Sequence, residues 1–87
     1  MEQEIRSAVK TYILKEFLRG EDPDELKDDT QLITGGILDS LATLKLVTFL
    51  EDRYGITFQA HEADVEHMNT IAHISSLVHS KLSPGPR

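Results

Sequence analysis

Three segments of this chain repeat apolar residues at three-to-four spacing, and a helix is the regular structure that gathers such residues onto one face. Over residues 3–18 the stripe is Ile5, Ala8-Val9, Tyr12-Ile13 and Phe17, with Arg6, Lys10 and Lys15 largely off it; Gly20 then ends the run. Over residues 40–54, Leu46, Val47, Leu50 and Tyr54 cluster on one side at about 100° per residue, and Gly55 closes the helix. Over residues 71–82 the stripe is Ile71, Ile74, Leu77-Val78 and Leu82, with Asn69-Thr70 as its cap. Residues 61–67 predict a short additional helix with Ala63 and Val65 turned inward. Ile56-Thr57-Phe58 resembles a strand but has no second strand to pair with, so it reads as an extended connector with Ile56 and Phe58 buried. The expected fold is all-α, a four-helix bundle of three main helices plus a short third, occupying residues 1–82 as a single domain. Ser83-Pro84-Gly85-Pro86-Arg87 reads as a disordered tail.

The connection between the first two long helices, residues 20–38, is unusually long for a domain of 87 residues. Glu21-Asp22-Pro23-Asp24-Glu25 is solvated, with a short helical turn near Asp24 to Lys27 as one option. Leu26, Leu32, Ile33, Ile37 and Leu38 interrupt the polarity and read as anchors pinning the loop to the core. The net charge of −6 is unevenly spread: residues 20–80 hold twelve acids against Lys27, Lys45 and Arg53. That stretch disfavours nucleic acid and anionic membranes and favours partners with basic surfaces. There is no cysteine, so thiolate chemistry and disulfides drop out. No apolar run spans a membrane, and Met1 to Arg6 lacks the pattern of a signal peptide, which leads to the expectation of a cytoplasmic monomer.

Chemistry concentrates in Gly35-Gly36-Ile37-Leu38-Asp39-Ser40-Leu41. His61, His67, His73 and His79 recur every six residues; on a helix this spacing turns successive rings roughly 120° apart, so no metal site is expected. Gly35-Gly36 lacks the lysine of a phosphate-binding loop, and the acidic loop lacks the ligand pattern of a calcium loop. A hydrolase is disfavoured because Ser40 is not in Gly-x-Ser-x-Gly, no strand feeds it, and Asp39 is too close in sequence to orient a histidine base. Asp39 or Ser40 can cap the second long helix, and a plain cap is the commonest role for such a serine. A helix start also stabilises a phosphodiester through its free N–H groups and dipole. Gly35 and Gly36 leave little bulk near the approach. Leu41 falls on the stripe of Lys45, Thr48 and Asp52, away from the core, which suggests a partner face.

Gly36-Ile37-Leu38-Asp39-Ser40-Leu41 closely resembles the Gly-x-x-Asp-Ser-Leu signature of acyl carrier proteins and their peptidyl carrier relatives. Asp29-Thr30-Gln31-Leu32, Leu46-Val47, Leu50-Glu51, Tyr54-Gly55-Ile56 and Thr70-Ile71 resemble further parts of that family. The resemblance implies a carrier rather than an enzyme. A phosphopantetheinyl transferase would attach 4′-phosphopantetheine from coenzyme A to Ser40, with Asp39 as flanking recognition residue. It further implies a second helix read by basic surfaces on partner enzymes, and the stripe of Leu41, Lys45, Thr48 and Asp52 is then the expected contact face. The main expectation is an acyl carrier of fatty-acid, specialised-lipid or polyketide-type synthesis. The alternatives are an aminoacyl or peptidyl carrier, and a helical interaction module in which Ser40 is only a cap. Two departures favour a specialised carrier. Ala42 and Lys45 stand where fatty-acid carriers often place acids, acidity returning at Glu51-Asp52, and the connector over residues 59–66 is long.

Overall fold

In the computed structural model residues 2–18 and 26–82 are described, and they are all helix and connection, without a strand among them. Helix α1 spans Glu2–Glu16, α2 Ser40–Tyr54, α3 Val65–Met68 and α4 Ile71–Leu82, with a 3-10 turn over Ala60–Glu62 before α3. This is the expected bundle of three main helices and a short third. The expected stop at Gly20, part of the turn near Asp24, and the tail over residues 83–87 lie outside the described residues.

The core is assembled from all four helices and the long loop. Ile5, Val9 and Ile13 of α1 meet Leu46, Val47 and Leu50 of α2 and Ile71, Ile74 and Val78 of α4, all buried. The long loop contributes Leu26, Leu32 and Leu38, at 2%, 0% and 2% exposure, so its aliphatics are anchors. Ile33 and Ile37 pack partly buried against the same cluster, as do Ile56 and Phe58 of the connector. The inner face of α1 is sealed to α2 by rings: Tyr12 stacks on Phe49 with centroids 4.2 Å apart and meets Phe17 edge-on at 5.8 Å. Its hydroxyl donates to the Lys45 carbonyl at 3.4 Å. Burial, and then the nearby Glu16 charge, raise the Tyr12 pKa above its ordinary value.

The ends of the helices follow cap chemistry. Gly55 adopts the left-handed conformation (φ 65°) and returns its N–H to the Glu51 carbonyl, ending α2 as expected. At α4 the Thr70 hydroxyl accepts from His73 N at 3.0 Å. Asn69, expected beside it as a cap, directs its side chain into the long loop instead.

The third helix differs from expectation. Asp64 caps it, accepting from His67 N at 3.1 Å, so the helix starts only at Val65. One turn then places Met68 in the core, while Val65, expected inward, is 46% exposed. The preceding Ala63 is partly buried on the core. Because the chain breaks between the 3-10 turn and α3, His61 and His67 do not diverge as on a continuous helix. Their rings lie 6.3 Å apart, edge to face. Asp64 pairs with His67 Nδ1 at 2.9 Å, raising the histidine pKa through that hydrogen bond and lowering its own.

Glu62 ties the 3-10 turn to α4 through Lys81 at 2.7 Å, with both side chains largely shielded. It also accepts from Gln59 N at 2.7 Å. The Lys81 hydrogen bond, and then the Gln59 one, hold the Glu62 carboxyl below its usual value of 4.5. The folded pKa is the lower one, so the pair's stabilisation is present above the unfolded value and disappears as pH falls through the folded one. Lys81→Met is expected to cost on the order of 1 kcal/mol near neutrality. In urea titrations that difference from wild type should close on acidification below the ordinary carboxylate range; a pH-independent difference would show that packing, not charge, is lost.

Candidate functional site

The site is the start of α2, and its geometry is set by Asp39. A helix start leaves its first N–H groups without intrahelical acceptors. Asp39 has extended backbone angles (φ −90°, ψ −173°), and its Oδ1 accepts from Ala42 N at 2.8 Å. Its carbonyl accepts from both Thr43 N at 2.9 Å and the Thr43 hydroxyl at 2.8 Å. Of the two capping candidates, the aspartate takes the role. Ser40 is therefore the first residue of the helix, exposed, and no described residue hydrogen-bonds its hydroxyl. The reading of Ser40 as merely a cap is overturned by this geometry.

The loop delivering Ser40 is a compact turn. Leu32 accepts at its carbonyl from Ile37 N at 2.9 Å and Leu38 N at 2.8 Å, and Gly36 N donates to the Ile33 carbonyl at 3.1 Å. The glycines serve this turn. A Cβ on Gly35 would collide with the Gln31 carbonyl oxygen, and Gly36 sits at φ 84°, where side chains are strained. Their expected part in clearing an approach to Ser40 is not what demands them.

Beyond Ser40, the outward face of α2 carries Leu41, Lys45, Thr48 and Asp52, all exposed. Leu41 is 62% exposed, and Leu44, which the periodicity argument passed over, is 61% exposed. Leu44 stands three residues on from Leu41, so the same angular count that placed Leu41 outside could have found it. The two leucines form an apolar step directly after the serine. Farther along, Tyr12, Leu44, Lys45, Thr48, Phe49 and Asp52 line a shallow groove between α1 and α2. The acidity read at Glu51-Asp52 is halved in space: Glu51 turns to the connector and accepts from Phe58 N at 2.8 Å. On the outward face Lys45 and Asp52 oppose each other, which leaves it close to neutral.

Among the described residues no group of three or more histidine and carboxylate side chains is arranged to hold a metal ion, and no helix is long and apolar enough to cross a membrane.

No family model matches the chain. A D-alanyl carrier protein of Streptococcus suis strain 98HAH33 is 33% identical over 73 residues, covering 84% of this chain and 89% of that protein. The D-alanyl carrier protein of strain 05ZYH33 is 40% identical over 70 residues, covering 78% and 87%. A chain in the crystal structure of an FAD-dependent dehydrogenase superimposes with a TM-score of 0.72 at 31% identity, over 80% of this chain and 97% of that one.

The division of labour at the helix start has a measurable consequence. Asp39→Ala is expected to cost about 1 kcal/mol of stability, the usual value of a lost cap. Ser40→Ala should be nearly neutral in the same urea unfolding experiment; a loss at Ser40 equal to that at Asp39 would return the capping role to the serine.

Proposed function

Because this chain belongs to the carrier-protein family that includes the D-alanyl carrier proteins, we propose that it carries an aminoacyl unit on a 4′-phosphopantetheine arm attached to Ser40. The observation that carries the reading is the exposed Ser40 hydroxyl beside an aspartate that has already capped the helix. The residues present fit the group. The N–H groups of Ser40 and Leu41 have no acceptor within the helix, and the dipole favours negative charge there, so a phosphodiester on the serine oxygen is stabilised. When attached, the arm supplies a terminal thiol that holds the cargo as a thioester. The chain's own residues present the serine, keep the helix start rigid and offer Leu41 and Leu44 as apolar contact beside it.

The relatives reverse the expected order of cargo. They carry D-alanine by name, which supports the aminoacyl alternative over the fatty-acid reading. Lys45 at the centre of the outward face agrees with that, since it opposes the basic surfaces that an acidic carrier attracts. The chain is then a substrate of a phosphopantetheinyl transferase and of the enzyme that charges it, with the catalysis residing in those partners. Its likeness to a chain in a crystal of an FAD-dependent dehydrogenase adds flavin dehydrogenases to the enzymes to assay against the charged protein.

Incubation with a phosphopantetheinyl transferase, coenzyme A and Mg²⁺ should add the mass of one arm to the wild type and nothing to Ser40→Ala. Absence of the gain in the wild type would overturn the reading. On the contact face, Leu41→Ala should leave the unfolding midpoint nearly unchanged and raise the KM of loading roughly tenfold, the scale of a lost apolar anchor of 1–2 kcal/mol. Lys45→Glu should improve transfer from fatty-acid enzymes; unchanged rates would remove charge as the excluding factor.

A further inference from the structure

We propose that Asn69 is a positioning residue for the chemistry at Ser40, acting through the loop that presents it. This rests on the reading of Ser40 as an attachment point. Asn69 ends α3, and it makes three contacts to backbone N–H groups of the long loop. Its side-chain Oδ1 accepts from Ile33 N at 2.9 Å and Thr34 N at 3.0 Å, and its carbonyl accepts from Leu32 N at 2.6 Å. Two backbone donors on one atom fix that atom as the amide oxygen, and the Nδ2 then donates to the Thr34 hydroxyl at 3.2 Å.

The path from Asn69 to the serine is short and continuous. Ile33, held at its N–H by the Asn69 side chain, accepts at its carbonyl from Gly36 N at 3.1 Å, and Leu32 beside it accepts at its carbonyl from Ile37 and Leu38. Leu38 is buried at 2% exposure, and the next residue is Asp39, whose carboxylate and carbonyl start α2. Neither Ile33 nor Thr34 belongs to a helix, so Asn69→Ala removes the side-chain acceptor of both N–H groups together, while the backbone bond from Leu32 N to the carbonyl of residue 69 remains. Only water could replace that acceptor, which suits an exposed group better than the half-buried Ile33. The adjoining strap is independent of the side chain: Ala72 N of α4 donates to the Asp28 carbonyl at 3.0 Å, and Asp28 pairs with Arg6 of α1 at 2.7 Å. The upstream part of the loop therefore stays tied to the bundle when Asn69 is changed, and the effect is confined to the turn that carries Asp39 and Ser40.

The joint between α3 and α4 is thus hydrogen-bonded directly to the loop that presents Ser40.

The experiment compares wild type, Asn69→Ala, Asn69→Asp and, as a control for lost stability, Val78→Ala in the α4 core. The first readout is amide hydrogen exchange on the unmodified proteins. Asn69→Ala should speed exchange at Ile37, Leu38, Ala42 and Thr43 more than in α4, whereas Val78→Ala should raise exchange without that bias. The second is phosphopantetheine loading by mass spectrometry with coenzyme A, well below the unfolding midpoints. Asn69→Ala should lose roughly tenfold in kcat/KM through misplacement of the serine. Asn69→Asp, which keeps the acceptor, should recover most of it, and Val78→Ala should stay near wild type. Even exchange in Asn69→Ala, or loading equal to wild type, overturns the inference. Failure of the wild type to load overturns instead the reading of Ser40, and exchange then still decides whether Asn69 holds the loop.

Discussion

A helix start is a place of unmet backbone donors, and in this protein the carboxylate of the preceding residue meets one of them. Asp39 accepts from Ala42 N with its side chain and from Thr43 twice with its carbonyl. Everything proposed for the neighbouring serine depends on that arrangement. Had the serine been the cap, its oxygen would be occupied by the helix it starts. With the aspartate one residue earlier, the same oxygen is the first polar atom of the helix to face outward, and the cap stays in place when that oxygen is altered.

The loop before the cap shows how a stretch without regular structure becomes rigid. Its side chains supply the burial, with Leu26, Leu32 and Leu38 in the core, while its backbone borrows acceptors from distant parts of the chain. Asn69 and Asp28 stitch it to the α3–α4 joint, and Arg6 adds a tie to α1. The turn over residues 32–38 then needs both glycines, one for a close approach to the Gln31 carbonyl and one for a left-handed angle. Over residues 26–38 the loop is thereby tied to the helices by both its side chains and its backbone.

Much of this was legible in the sequence, for reasons that vary by element. The limits of α2 and α4 were readable because Asp39, Gly55 and Thr70 are local signals that act within four residues. The loop anchors were readable because aliphatics in a polar stretch have one reason to be there. The one-turn α3 was not, since four residues hold no period; its cap at Asp64 shifted the register and left Val65 outside. Asn69 was placed at the right boundary and given the wrong task, because its partners lie 36 and 35 positions away. Leu44 and Glu51 were readable only in part: angular position separates outside from inside, but it does not reveal that an edge carboxylate has a backbone N–H waiting across a turn. At the site itself, Ser40 came from its neighbours in sequence, while the freedom of its hydroxyl came from geometry.

The inward commitment of Glu51 also separates what this protein shows at long and at short range. At a separation of about one Debye length, an approaching molecule senses mainly the sum, a net charge of −6. Closer in, it meets an outward face of α2 on which Lys45 stands against Asp52, with the Glu51 carboxylate turned to the connector. Attraction during diffusion therefore follows the net acidity, whereas complementarity at contact depends on a nearly neutral face. A basic enzyme would thus be drawn toward the protein by charge that the outward face of α2 does not itself supply.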